Sequence, residues 1–372
     1  MTLLPLMTIA HVTAPAAFGG LERVVVGLCR EMAERGHRVV LILTLSPLDG
    51  TPVWAEELRA ANVTVECLRL SGRSYLAEWR AVRALLRLHR VDLVHTHGYR
   101  ADVVNGAAAR REGCRLVSTA HGFASTGGRG KLYEWLQMRA WRRFDAVVAV
   151  SQPLRALLMA AGVPQASLHF IRNGLIASGS ARLDRTQARE RLGLPQEGTV
   201  IGWVGRLSEE KAPALAVEAI ARCSDPRTLL CIVGTGPLLE ACRARSLALG
   251  VGDRVRFAGA VADASKLFDA FDALVLSSRT EGTPMVVLEA AAAGVAVVST
   301  AVGGVPDLLG DERGWLVPAG DSVALGHAIE AATADRHESR RRAQRLRTFL
   351  ESGVDSDWVT QYLGLYRSLL AG

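Results

Sequence analysis

Short apolar runs rich in Val, Ile and Leu alternate along this chain with longer stretches of helical period. In the first half, Met7 to Val12, Arg38 to Thr44, Asp92 to Thr96, Arg115 to Thr119 and Ala146 to Val150 read as strands, and Leu21 to Arg35 as the helix after the first of them. Runs that are apolar on both faces predict a parallel sheet covered by helices. The alternation pauses over 173–198, a stretch rich in Gly, Ser and charge that predicts an interdomain segment. It resumes with strands at Val200 to Val204, Leu229 to Val233, Val255 to Phe257, Ala273 to Leu276 and Ala296 to Ser299. The pattern predicts two doubly wound α/β domains, 1–175 and 176–356, facing each other across a cleft. The tail, 357–372, places Trp358, Tyr362 and Tyr366 on one stripe of a helix that is expected to cross back onto the first domain.

The length of 372 residues fits two domains, and 49% apolar with 22% charged residues excludes a disordered chain. The six cysteines form no C-x-x-C pair and read as buried thiols in a reducing cytosol. The N-terminus lacks a cationic region and resembles a strand more than a signal peptide. The long apolar region Met285 to Val305 is interrupted by Glu289 and by glycines, so a cytoplasmic chain is expected, with at most a peripheral membrane role.

Charge adds an asymmetry. Residues 1–170 hold 21 Arg or Lys against 13 Asp or Glu, whereas 171–372 hold 23 against 24, so the net +7 is +8 in one half and −1 in the other. Surplus confined to one half points to an anionic partner there. Only Lys131, Lys211 and Lys266 of the 44 basic residues are lysines. The Arg-rich stretch 336–347 reads as a solvated helix face in the half without surplus charge, so nucleic acid is not expected as a partner.

Ligands of open parallel sheets bind beyond the carboxyl ends of the strands, so the loops there carry the candidate chemistry. Gly19 and Gly20 precede a helix start, where backbone N–H groups can meet a phosphate; a tight turn needs the same residues, and no G-x-G-x-x-G is present. Arg206 at one strand end and Lys211 shortly after can converge on a diphosphate, with two exposed cations as the plain alternative. Gly236 lies in a second such loop. In SSRTEGTPMVVLEA, Glu281 precedes a helix with Pro284 in its first turn, and Glu289 lies further along it. N–H groups near Thr283, Pro284, Met285 and Val286 would face a phosphate, while the glutamates accept bonds from sugar hydroxyls. Helix capping is the alternative for Glu281. Gly303 and Gly304 face the same edge. His95, His97 and His121 also gather at strand ends, but no carboxylate or Cys at ligand spacing completes the set. No metal is expected, and His121 is the candidate for substrate contact.

These residues together resemble the retaining, nucleotide-sugar-dependent glycosyltransferases of family 4, which have the GT-B architecture of two facing Rossmann-like domains. The matches run in family order: Gly19-Gly20, Asp92-x-x-His95-x-His97, Thr119-x-His121-Gly122, Ser151, Asn173-Gly174, Val204-Gly205-Arg206-Leu207 with Lys211, Gly234-x-Gly236-Pro237, Phe257-x-Gly259, Glu281-x7-Glu289 and Gly303-Gly304. The resemblance implies that Arg206 and Lys211 bind the donor diphosphate, Glu281 the donor-sugar hydroxyls and Glu289 the ribose. It places His121 beside the reacting sugar and the Gly20 backbone at the phosphates or the acceptor. Ala212 departs from the family, which usually has Gly after the Lys, and Ala292 stands where Met is common.

The resemblance further implies a UDP- or GDP-sugar co-substrate, no obligatory cofactor, and a saccharide or lipid-linked acceptor in surface polysaccharide or glycolipid synthesis. No D-x-D metal motif is present, and fixed cations with helix N-termini can stabilise the leaving diphosphate. The stretch 129–144 mixes five cations with Tyr133, Trp135 and Trp141 and reads equally as a membrane-surface helix or a packed helix with an Arg-rich face. The competing functions are a nucleotide-sugar epimerase or sugar phosphorylase on the same fold, and a non-catalytic nucleotide-sugar binding protein.

Overall fold

The computed structural model describes residues 6–15, 19–122, 128–175, 182–261, 263–310, 312–352 and 357–372. The chain divides into two compact units, Met1–Asn173 with Asp357–Gly372, and Gly174–Ser356. The first unit thus ends its main segment at Asn173 rather than 175.

In the first unit β1 (Thr8–Thr13), β2 (Arg38–Leu45), β3 (Thr64–Arg69), β4 (Leu93–His97), β5 (Arg115–Ala120), β6 (Ala146–Ala149) and β7 (Leu168–Phe170) form one parallel sheet. Its order is β3-β2-β1-β4-β5-β6-β7. The second unit holds β8 (Val200–Val204), β9 (Leu229–Val233), β10 (Val255–Gly259), β11 (Ala273–Leu276), β12 (Ala296–Thr300) and β13 (Trp315–Val317), ordered β10-β9-β8-β11-β12-β13 and also parallel. Each sheet reverses its winding once, between β1 and β4 and between β8 and β11. These are the switch points at which such sheets open a crevice for a ligand.

Every strand expected from the apolar pattern is present. β3, β7 and β13 were not expected, and all three lie at sheet edges. An edge strand is covered on fewer sides, so Thr64, Glu66 and Arg69 can interrupt β3, while β7 and β13 have only three residues each.

The segment 173–198 is not a linker throughout. Asp184 caps the helix Arg185–Leu192, accepting from Gln187 N at 2.9 Å, and Ala188 and Leu192 are buried in the second unit. Arg189, fully buried, donates to the carbonyls of Ala270, Pro195, Gln196 and Gly198 and to Asp272. Charge in this sequence therefore marked a buried staple as well as solvent.

The tail helix Trp358–Ala371 packs on the first unit with Trp358, Tyr362 and Tyr366 buried. Tyr366 OH lies 2.6 Å from His95 Nδ1 and Tyr362 OH 2.8 Å from Thr119 Oγ1. At its start, Asp357 pairs with Arg35 at 2.9 Å.

Candidate active site

The second unit concentrates the expected donor residues at its switch point. β8 leads into Arg206 and Lys211, β11 into Ser277, Ser278 and Glu281, and the two strands are neighbours although far apart in sequence. Lys211 Nζ lies 2.7 and 2.8 Å from the two oxygens of Glu281. Ser278 Oγ donates to Glu281 Oε1 at 2.6 Å, and the glutamate side chain is only 6% exposed. Glu281 is therefore not a helix cap: its carboxylate is committed to Lys211 and Ser278, and the helix Met285–Ala293 starts without a side-chain cap. Pro284 is the capping residue of that helix rather than a member of its first turn. The Met285 and Val286 N–H groups open the helix beside it. Thr283 is buried and Glu289 half-buried on the helix itself.

Three glycines fix the loops around this pair. Gly303 has φ +52°, and a Cβ on it would come within 1.8 Å of the Glu281 carbonyl oxygen. Gly304 N donates to Gly282 O at 3.1 Å, which closes the loop after β12 onto the glutamate loop. A Cβ at Gly236 would meet Leu207 O at 2.4 Å, so the loop after β9 rests on the backbone next to Arg206. Arg206 is exposed, and among the described residues its side chain makes no hydrogen bond or ion pair. The structure thus joins Lys211 to Glu281 and leaves Arg206 outside that contact.

In the first unit, Gly19 is the N-cap of the helix Gly20–Glu34. Its N–H donates to Glu22 Oε2 at 2.9 Å, so the helix's own third residue occupies the N–H that was expected to meet a phosphate. Gly20 opens the helix and is exposed. Phe18 of this loop lies outside the described residues.

The histidines form a larger group than expected. Across the β1–β4 switch point His11 stands opposite His95. His11 Nδ1 is 3.1 Å from His97 Nε2, and His97 Nδ1 is 3.3 Å from His121 Nε2, which gives a chain of three imidazoles. His95 uses both ring nitrogens on Tyr366 and Thr119. Burial pushes His11 down to about 3 and His121 to about 4. His95 and His97 fall well below the ordinary value through burial first and neighbouring imidazoles second. At neutral pH the group is uncharged. The set whose ligand nitrogens lie within 4.8 Å of one another is His11, His95 and His97, not the trio with His121. Sequence reasoning missed His11. The available signal was one imidazole inside the otherwise apolar run of β1, a strand that the topology places beside β4.

Comparison with known proteins follows the same division of the chain. Residues 184–347 match the family described as Glycosyl transferases group 1, and residues 18–177 match Glycosyltransferase Family 4. The chain is 25% identical over 343 residues to UDP-Gal:alpha-D-GlcNAc-diphosphoundecaprenol alpha-1,3-galactosyltransferase of Escherichia coli, covering 88% of both chains. It is 27% identical over 398 residues to D-inositol 3-phosphate glycosyltransferase of Acidothermus cellulolyticus, covering 95% of this chain and 86% of that one. Among solved structures, Anabaena HepE in complex with UDP-glucose superposes with a TM-score of 0.82 at 23% identity, over 97% of this chain and 99% of that one. The two parallel sheets and their GT-B neighbours establish the fold. Since the two family matches meet near the boundary between the units and together take in most of the sequence, the chain belongs to the group 1/family 4 glycosyltransferases.

Proposed function

We propose that this glycosyltransferase moves a sugar, with retention, from a nucleotide-diphosphate sugar to a hydroxyl of a saccharide or lipid-linked acceptor in surface polysaccharide or glycolipid synthesis. The observation that carries the reading is the Lys211–Glu281 pair at the β8/β11 switch point, with the Arg206 guanidinium unengaged beside it in sequence. Transfer builds negative charge on the departing diphosphate and positive charge on the sugar, so a fixed cation at the first and a carboxylate at the second both act more strongly in the transition state. An ammonium has three N–H donors. Two lie along the Glu281 oxygens, and the third is left for a phosphate oxygen. Glu281, already held, keeps lone pairs for sugar hydroxyls. Arg206 and the Met285 and Val286 N–H groups take the remaining phosphate oxygens, the Gly236 loop packs on the Leu207 backbone beside them, and Glu289 takes the ribose. His121, neutral, contacts the sugar without opposing its developing positive charge. The acceptor hydroxyl attacks from the face that the diphosphate leaves.

The E. coli relative is named for a UDP-galactose donor and a diphosphoundecaprenol-linked acceptor, and HepE was solved with UDP-glucose, which favours a UDP-sugar and a lipid-linked acceptor here. A thermal-shift panel of UDP-, GDP- and ADP-sugars tests donor binding, and no shift with any of them overturns the reading. Nucleotide should appear only when an acceptor is supplied; inversion of the donor sugar without one indicates an epimerase, and sugar phosphate formed from a saccharide and orthophosphate indicates a phosphorylase. Lys211→Met or Arg206→Ala should lose about 2 to 5 kcal/mol in kcat/KM, and turnover near that of the unaltered enzyme removes the assigned role.

The acceptor side has its own support. On the helix Gly128–Trp141, Gln137 and Trp141 face inward, while Leu132, Trp135 and Arg139 are exposed. Arg110, Arg139, Arg142 and Arg143 line a cavity of about 460 Å³ beside it. Exposed apolar and aromatic groups next to clustered arginines suit an anionic membrane surface. No helix among the described residues is long and apolar enough to cross a membrane. Flotation with vesicles containing anionic lipid should carry the enzyme at low salt, and its absence there ends the membrane assignment.

A further inference from the structure

β11 is followed at once by two buried serines, Ser277 and Ser278, whose hydroxyls turn to different halves of the Lys211–Glu281 pair. Ser277 Oγ accepts from Trp203 Nε1 at 3.0 Å and donates towards the carbonyl oxygens of Lys211 and Ala212, at 3.0 and 2.9 Å. Ser278 Oγ donates to Glu281 Oε1 at 2.6 Å, and its own carbonyl accepts from Thr300 Oγ1 at 2.6 Å. One serine holds the main chain that carries the ammonium. The other holds the carboxylate that the ammonium binds.

The backbone at Ala212 shows why the first contact matters. Ala212 sits at φ 43°, ψ 53°, in the left-handed region that L-residues avoid, and Pro213 starts the next helix directly after it. A residue before proline is already steered away from the right-handed helical region, so an unrestrained Ala212 would relax towards an extended conformation and swing Lys211 with it. The two carbonyls on the Ser277 hydroxyl oppose that relaxation, and the indole N–H of Trp203 fixes which way the hydroxyl points. Lysine is a flexible four-carbon stem, so its charge is placed no better than its backbone.

We propose that Ser277 and Ser278 are positioning residues for the ion pair: Ser277 sets the left-handed turn that aims Lys211, and Ser278 sets the Glu281 carboxylate, before a donor arrives. The inference rests on the reading that this pair meets the donor. It also carries a specific rescue. Glycine adopts the left-handed conformation without steric cost, so Ala212→Gly should compensate for loss of the Ser277 hydroxyl but not for loss of the Ser278 hydroxyl.

The test is a set of five variants, Ser277→Ala, Ser278→Ala, Ala212→Gly and the two doubles with Ala212→Gly, measured as kcat and donor KM with saturating acceptor. Ser277→Ala and Ser278→Ala should each lower kcat by about 10- to 100-fold with donor KM moving less than about threefold, the mark of a misaimed charge rather than a lost binding group. Ala212→Gly should restore about tenfold in the Ser277→Ala background and little in the Ser278→Ala background. Ser277→Ala turnover within about twofold of the unaltered enzyme, or the same Ala212→Gly factor in every background, overturns the proposal. If Ser277→Ala does not fold, Ser277→Cys keeps the side-chain size with a weaker donor and should show the same kcat loss and rescue in smaller measure. Hydrogen exchange separates this proposal from the functional one, because it needs no substrate. Lys211 and Ala212 N–H both bond Ser208 O, and the peptide carrying them should exchange faster in Ser277→Ala and unchanged in Ser278→Ala. Equal exchange in both overturns the proposal even if no donor is ever turned over.

Discussion

Acidification from pH 7 to pH 5 should destabilise the first unit selectively, and the structure sets the size of the effect. His11, His95 and His97 are 0 to 1% exposed and stay neutral in the fold, with His11 at about 3 and the other two well below the ordinary 6.5. In the unfolded chain the same imidazoles take up protons as the pH falls through 6.5, so the unfolded state binds more protons and stability falls with pH. Between pH 7 and 5 each such histidine costs about 2 kcal/mol, and the three together about 6 kcal/mol. Asp102 works the other way. Burial raises its carboxyl from 3.8 to about 6, so the folded state binds that proton first and gains about 1.4 kcal/mol over the same interval. His121, lowered by burial to about 4, adds about 2 kcal/mol to the loss, as do His37 and His169, lowered by burial, in smaller measure, while Glu22, raised by burial, adds to the gain. The net loss of about 6 kcal/mol is a large part of the 5 to 15 kcal/mol that usually holds a domain. Urea unfolding at both pH values, with hydrogen exchange assigning protection to each unit, measures it. His11→Asn removes one neutral imidazole and should flatten the dependence by about 2 kcal/mol whatever it does to stability at pH 7. A change in the first unit below about 2 kcal/mol, or an unaltered slope in His11→Asn, would refute the reasoning.

Two further outcomes follow from single contacts. Arg189→Met strips the donor from four carbonyls and from Asp272 inside the second unit and should cost about 3 to 5 kcal/mol in urea unfolding, the usual consequence of breaking a buried charged network from one side. Gly303→Ala forces a Cβ against Glu281 O at a positive φ, so the glutamate loop must move; titration calorimetry should find donor affinity at least about tenfold weaker, with Lys211 and Glu281 themselves intact.

Legibility in the sequence followed burial on two faces. β1, β2, β4, β5, β6, β8, β9, β11 and β12 are interior strands with apolar cores of Val, Ile, Leu or Ala, and the edge strand β10 was still legible through Val255 and Phe257, whereas β3, β7 and β13 carry polar or very short runs because an edge needs less cover. The cysteines read as buried thiols remain free, four of them buried and Cys67 and Cys114 half-buried. Site residues were legible as loop motifs but their partners were not. Glu281 and Lys211 are separated by 70 positions, and only the order β8-β11 makes them neighbours. His11 was hidden for the same reason, since its meaning depends on β4 lying beside β1. Ala212 gave a partial signal: its place after Lys211 marked a backbone irregularity, and the positive φ shows what kind.

The split of charge between the halves now separates into two physical roles. Lys211, the one lysine at the donor loops, is balanced by Glu281 in the unit that has no net positive charge, so its field is short-ranged and contributes to geometry rather than to attraction at a distance. On the proposed function, a dianionic leaving group approaching it would gain a donor that is already oriented, and would need no surplus in the unit as a whole. In the first unit Arg110, Arg139, Arg142 and Arg143 cluster around one cavity, and Arg139, Arg142 and Arg143 are exposed, where charge acts through steering and is screened by salt. On the proposed function, net charge would report on the surface that gathers an acceptor, while the chemistry of the donor would rest on a pair whose charges nearly cancel.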